Sequence, residues 1–137
     1  MLALRAKGVQ IYECRASGDP RAPYAWKLQG PEAKLFDAAG HQVGKHYAGP
    51  TWESNDGSKV VGEVRAQDAG PDSTAVAWLL LTAKSTSGSG VFGKVQSIQR
   101  VRTSGGQAPA GPCGIGQAHR ALRVPYTASY YFYAADS

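Results

Sequence analysis

A chain of 137 residues is long enough for one domain with its own core, and 42% hydrophobic against 18% charged residues excludes a disordered or fibrous polymer. The net charge of +5 comes from fifteen Lys and Arg scattered without a run of five, a pattern that argues against a nucleic-acid partner. Seventeen glycines and eight prolines favour turns over long helices.

Period-two alternation begins at residues 9–16, where Val9 and Ile11 share one side and Tyr12, Cys14 and Ala16 the other. Gly18-Asp19-Pro20 stops that strand. Residues 24–29 form a second, with Tyr24, Trp26 and Leu28 on one face, and Gly30-Pro31 ends it. A third short strand covers residues 34–37 and a weaker fourth residues 41–47, closed by Gly49-Pro50. Residues 51–54 and 59–66 flank Asn55-Asp56-Gly57-Ser58, which predicts a hairpin with a type I′ turn. Residues 75–84 are the most apolar segment and predict a central strand buried on both faces. They are too short for the ~18 residues of a membrane span. Residues 91–103 predict a long strand with a bulge near 96–98. Residues 104–116 hold a Gly/Pro-rich loop around Cys113, residues 117–122 one helical turn, and residues 122–134 the last one or two strands. The pattern as a whole predicts one all-β domain over residues 1–137, an antiparallel sandwich or closed barrel of eight to ten short strands.

Cys14 and Cys113 lack the CxxC spacing of a zinc or thioredoxin-like site and pair best as a disulfide near opposite ends of the chain. That places the protein in an oxidising compartment, periplasmic or secreted. A signal peptide is not found within these 137 residues. Met1 before Leu2-Ala3-Leu4 reads as an added start codon after removal of an export segment.

Residues 88–95, GSGVFGKV, fit the GxGxxGxV pattern of a phosphate-covering loop. The chain has no HRD or DFG element, and a strand rather than a helix follows, so a hairpin turn is the better reading. His41 and His46 lie five apart on one strand and face opposite ways; a metal site joining them to His119 would need the fold to gather all three. Cys113 with His119 would make a nucleophile–base pair only without the disulfide. Glu53, Asp56 and Glu63 flank one hairpin and are the carboxylates closest to a glycosidase-like pair. The densest signal is aromatic: Tyr126, Tyr130, Tyr131, Phe132 and Tyr133 fall within eight residues, suited to stacking on sugars, flat cofactors such as haem, or another subunit.

Several phrases belong together: VQIYEC at 9–14, HYAGPTWE at 46–53, DGSKVVG at 56–62, IQRV at 98–101, GGQAP at 105–109 and VPYTA at 124–128. In these the chain resembles a bacterial and fungal family known only as domain of unknown function 3455. The resemblance implies a secreted protein with an N-terminal signal or lipoprotein segment. It implies no catalytic residue, cofactor or substrate. The malate dehydrogenase label carried by some fungal members does not suit a chain without a βαβ unit.

These readings converge on an exported, non-catalytic binding module for a small molecule, haem or carbohydrate. The expected ligand surface joins His46, Trp52, Tyr126, Tyr130, Tyr131 and Tyr133, with Trp52 stacking and His46 or a tyrosine supplying polar contacts or a bond to haem or a divalent metal. A metal-assisted hydrolase and a self-associating envelope protein are the alternatives, and homo-oligomers fit the latter.

Overall fold

The computed structural model describes residues 1–134. Eight strands follow one another: β1 (Leu2–Asp19), β2 (Ala22–Phe36), β3 (Gln42–Tyr47), β4 (Thr51–Ser54), β5 (Lys59–Asp68), β6 (Trp78–Ser87), β7 (Val95–Gly105) and β8 (Ala121–Ala134). Each pairs antiparallel with the next, and β8 returns to β1 over Leu2↔Phe132 to Glu13↔Ala121, so the sheet closes into a barrel. Of the two all-β architectures expected, the barrel is the one formed. Eight strands leave an interior just wide enough for side chains to fill.

Alternation decides what fills it. Leu4, Ala6, Gln10, Tyr12 and Cys14 of β1 and Tyr126, Ala128, Tyr130 and Phe132 of β8 are buried, while the residues between them face outward. Leu35, Trp52, Val60, Leu81 and Ile98 complete the core from the other strands. The interior has no slack beside Trp52: a Cβ on Gly62 would stand 2.9 Å from the indole and 3.1 Å from Leu81.

Several boundaries differ from the sequence reading, each for a physical reason. Gly30-Pro31 does not end a strand. β2 runs through it, with a register shift against β1 at Ile11/Tyr12, because β3 reaches β2 only over Glu32–Phe36 and Pro31 therefore owes no hydrogen bond on that side. Residues 75–77 precede β6 as loop, and Leu80 is 42% exposed, since a lone barrel buries only its inner face. The Asp-Gly hairpin is present but not as type I′. The Gly57 N–H bonds the Ser54 carbonyl at 3.0 Å and only Gly57 takes positive φ, +91°, so a type I turn leads into a left-handed glycine. The bulge expected near 96–98 is present at Val95/Ser97 and residues 121–134 form a single last strand, while the helical turn expected at 117–122 lies earlier, as a 3-10 turn at Ile115–Gln117.

The two barrel ends are closed differently. At one, the loop after β7 crosses over the interior. Ala75 bridges to Gly106, the Gln107 amide donates to the carbonyls of Ala75 (2.6 Å) and Ser73 (3.0 Å), Tyr12 Oη donates to the Gly106 carbonyl at 2.5 Å, and the Cys14–Cys113 disulfide ties the loop to β1. At the other end, the β6–β7 connection is latched onto the β4–β5 turn. Asp56 accepts from the Val91 N–H (2.9 Å), and Ser58 Oγ, fully buried, accepts from the Phe92 N–H (3.1 Å). Gly90 packs so closely on the Asp56 carboxylate that a side chain there would push the carboxylate aside.

Candidate functional site

The latched end carries an apolar cup of about 320 Å³. Leu2 and Leu4 enter from the start of β1, Val43 from β3, and Val91 and Phe92 from the connection, while Asp37, Ser54, Asn55 and Asp56 supply polar groups. A concave, largely apolar wall with a few placed polar groups is the usual form of a small-ligand site. Its carboxylates are occupied. Asp37 accepts from the Ala39 and His41 N–H groups at 3.0 and 2.9 Å, which lowers its pKa, chiefly through the His41 bond. Asp56 accepts from Ser58 Oγ (2.6 Å) and the Ser58 and Val91 N–H groups, which pull it down to about 2. Both therefore hold turns in place as anions at neutral pH and keep the cup's rim fixed.

Behind Phe92, which lines the cup, a chain of rings runs through the core. Phe92 lies 4.8 Å from Phe132, Phe132 6.0 Å from Trp52, and Trp52 stacks on His46 at 4.3 Å and 16°. Tyr130 meets both His46 (5.1 Å) and Trp52 (5.4 Å) edge-on, and its hydroxyl is 3.4 Å from that of Tyr126. His46 Nδ1 bonds the Thr51 carbonyl at 2.8 Å, and since a carbonyl only accepts, Nδ1 carries the proton. Burial pushes the His46 pKa down to about 3, so the imidazole is neutral. Burial raises both tyrosines as well, so they stay protonated. Arg100 opposes Tyr130 in the ladder and so faces inward. Its Nε donates to the Ala77 carbonyl at 2.9 Å, and no carboxylate pairs with it among the described residues. Among the described residues, two buried polar atoms, Gln10 Oε1 and Trp52 Nε1, have no hydrogen-bond partner.

Of the residues expected to form a ligand surface, His46, Trp52, Tyr126 and Tyr130 come together, but inside the wall rather than on it, and one face of Trp52 is covered by His46. Tyr131 and Tyr133 face outward, away from the other four. Tyr133 Oη donates to Gln99 at 2.9 Å. The three histidines are not gathered: His41 sits in the β2–β3 turn, His46 in the core and His119 in the loop beside Cys14. No group of three or more His, Cys, Asp or Glu able to hold a metal ion occurs among the described residues. Cys113 is committed to the disulfide and cannot serve as a nucleophile. Glu53 is engaged by Tyr47, Lys45 and Lys59, and Glu63 by Arg65. The GxGxxGxV segment is the latched connection itself. Leu2, Leu4, Val43 and Val91 escaped the sequence reading although Leu2, Leu4 and Ala6 alternate with Arg5 and Lys7, because the latch that gathers them becomes visible only when two distant turns meet.

The fold and its closures define a disulfide-bonded, eight-stranded antiparallel β-barrel with an interior filled largely by aromatic rings. No helix among the described residues is long and apolar enough to cross a membrane. The chain belongs to the family described as "Protein of unknown function (DUF3455)", which it matches over residues 1–134. Neither the curated proteins nor the solved structures give a match.

Proposed function

We propose that this protein is a non-catalytic binding module that works outside the cytoplasm and takes a small, mainly apolar ligand into the cup at the latched end. The carrying observation is the cup: about 320 Å³ of concave space walled by Leu2, Leu4, Val43, Val91 and Phe92. That size is at the lower end of small-molecule sites. The extracytoplasmic placement rests on the disulfide, which persists in oxidising compartments. His46, Trp52, Tyr126 and Tyr130 act in this reading as a rigid floor behind Phe92 rather than as the contact surface.

Titration with an environment-sensitive apolar dye, followed by displacement with straight-chain alcohols and fatty acids, tests it. The expected result is saturable binding that is lost in Val91→Trp, which fills the mouth from a position 55% exposed and leaves the core alone. Absence of saturable binding, or equal binding by the variant, would refute the reading.

A second reading, self-association, draws on one observation. The outer half of β2 extends beyond its β3 ladder and carries Leu28, 58% exposed. A free edge with an apolar side chain is a surface for strand pairing. Sedimentation across a concentration series separates a dimer from a monomer.

A further inference from the structure

The charges that are scattered in the sequence are collected by the barrel's register. Lys7 stands opposite Lys34 on β2, and Lys34 stands opposite Lys45 on β3, so three lysines line up across three neighbouring strands. At about 4.8 Å per strand they form an evenly stepped row on the outer wall. All three are exposed. Arg5 stands two residues along β1, and Arg102 joins it from β7. Arg102 lies in the bulge between Val101 and Ser104 with φ at +51°, a left-handed conformation that a non-glycine residue adopts at a cost. Two adjoining grooves of about 250 and 440 Å³ result. The first is lined by Arg5, Arg102, Thr127 and Ser129, and the second includes Arg5, Lys7 and Thr127.

Among the described residues, Arg5, Lys7, Lys34 and Arg102 have no carboxylate within 4.0 Å, while Lys45 reaches Glu53 at 3.8 Å. Asp37 lines the second groove but turns its Oδ1 to the backbone of its own turn. Like charges directly opposed across strands destabilise a sheet. A row of them, with Arg102 held beside it by the bulge, is a surface whose charge repulsion an anion would relieve.

We propose that this face binds a linear acidic polysaccharide, with carboxylates along the polymer meeting Lys7, Lys34, Lys45, Arg5 and Arg102, and Thr127 and Ser129 bonding its hydroxyls. The regular step of the row suits a chain of repeating charge rather than a single ion. Membrane-surface binding couples cations to apolar insertion, and single-stranded nucleic-acid grooves interleave aromatics. Phe36 lines the second groove but is half-buried, and none of the large exposed apolar side chains among the described residues lines either groove. This site is separate from the cup, so either can fail without the other.

The test is calorimetric or electrophoretic titration with polygalacturonate, run beside phosphatidylglycerol vesicles and duplex DNA. Saturable polygalacturonate binding that weakens with salt is expected. In the Lys7→Gln/Lys34→Gln variant, affinity should fall at least about tenfold and the slope of log K against log salt should drop by about one per cation removed. Arg102→Gly should also weaken binding without lowering thermal stability, because glycine accepts the left-handed backbone. Lys7→Arg/Lys34→Arg, which keeps the charge, should retain binding and guards against a folding artefact. No binding to polygalacturonate, binding to vesicles or DNA alone, or undiminished binding by the glutamine pair and by Arg102→Gly would each overturn the proposal.

Discussion

Acid should loosen this barrel well above the pH at which carboxylates titrate, and the cause is His46. The imidazole is buried, 3% exposed, between Trp52 and Tyr130, and its Nδ1–H is satisfied by the Thr51 carbonyl. A second proton, on Nε2, would place a cation in that aromatic box, with the Arg100 charge opposing it further. The folded pKa is therefore about 3 against an ordinary 6.5. The sign follows from proton uptake: between those two values the unfolded chain binds a proton that the folded chain refuses. Stability is thus highest above the unfolded value and is lost as pH falls below it. The loss amounts to about 1 kcal/mol on going from about pH 7.5 to about pH 5.5, and about 3 kcal/mol by about pH 4.5. The carboxylates whose folded pKa values are lowered, Glu13, Asp37, Glu53, Asp56 and Asp72, have ordinary values of 3.8 to 4.5, so they add their own loss only below that upper window. Urea unfolding by intrinsic fluorescence at the two higher pH values isolates the histidine. His46→Asn keeps a donor near Thr51 and removes the titration, so it should be weaker throughout and show a flatter slope over that window. A variant with the same pH slope as the parent would refute the assignment to His46.

Other expectations are shorter. Reducing the disulfide, or replacing Cys14 and Cys113 by serine, should cost about 4 to 5 kcal/mol on the chain-entropy model for a separation of 99 residues, read as a lower urea midpoint on adding dithiothreitol. Gly62→Ala should lose about 1 to 3 kcal/mol, because its methyl would press on Trp52 and Leu81, and a near-ultraviolet spectrum should show the indole displaced. Asp56→Asn should release the β6–β7 connection from the β4–β5 turn, seen as faster amide exchange at Val91. The same protection should fade in the parent as pH falls from about 4 towards the Asp56 value of about 2.

Where alternation was clean, the fold could be read ahead of the structure. Tyr126, Ala128, Tyr130 and Phe132 take one face of β8 because a pleated strand leaves them no other, and Cys14 shares the inner side of β1 for the same reason. Where the structure departs from the sequence pattern, the neighbours a segment meets in the barrel outweigh its local punctuation. Gly30-Pro31 looks like a stop, yet a strand without a partner on one side tolerates proline. Residues 75–84 look buried on both faces, yet nothing packs outside a lone barrel. The site was legible only as a set of residue types. That His46 and Trp52 belong together follows from their direct opposition on β3 and β4, but their place in the interior depends on closure between β1 and β8. The lysine row was invisible, because Lys7, Lys34 and Lys45 become neighbours only through a register that no linear window contains.

The seam between β1 and β8 also governs when this protein can acquire its shape. Twelve backbone pairings join the two ends of the chain, and until β8 has emerged β1 has only β2 beside it. Contacts of such wide separation slow folding and make it a late event. The barrel therefore sets only once the whole length of the polypeptide is at hand, and only then do Cys14 and Cys113 come within reach of each other.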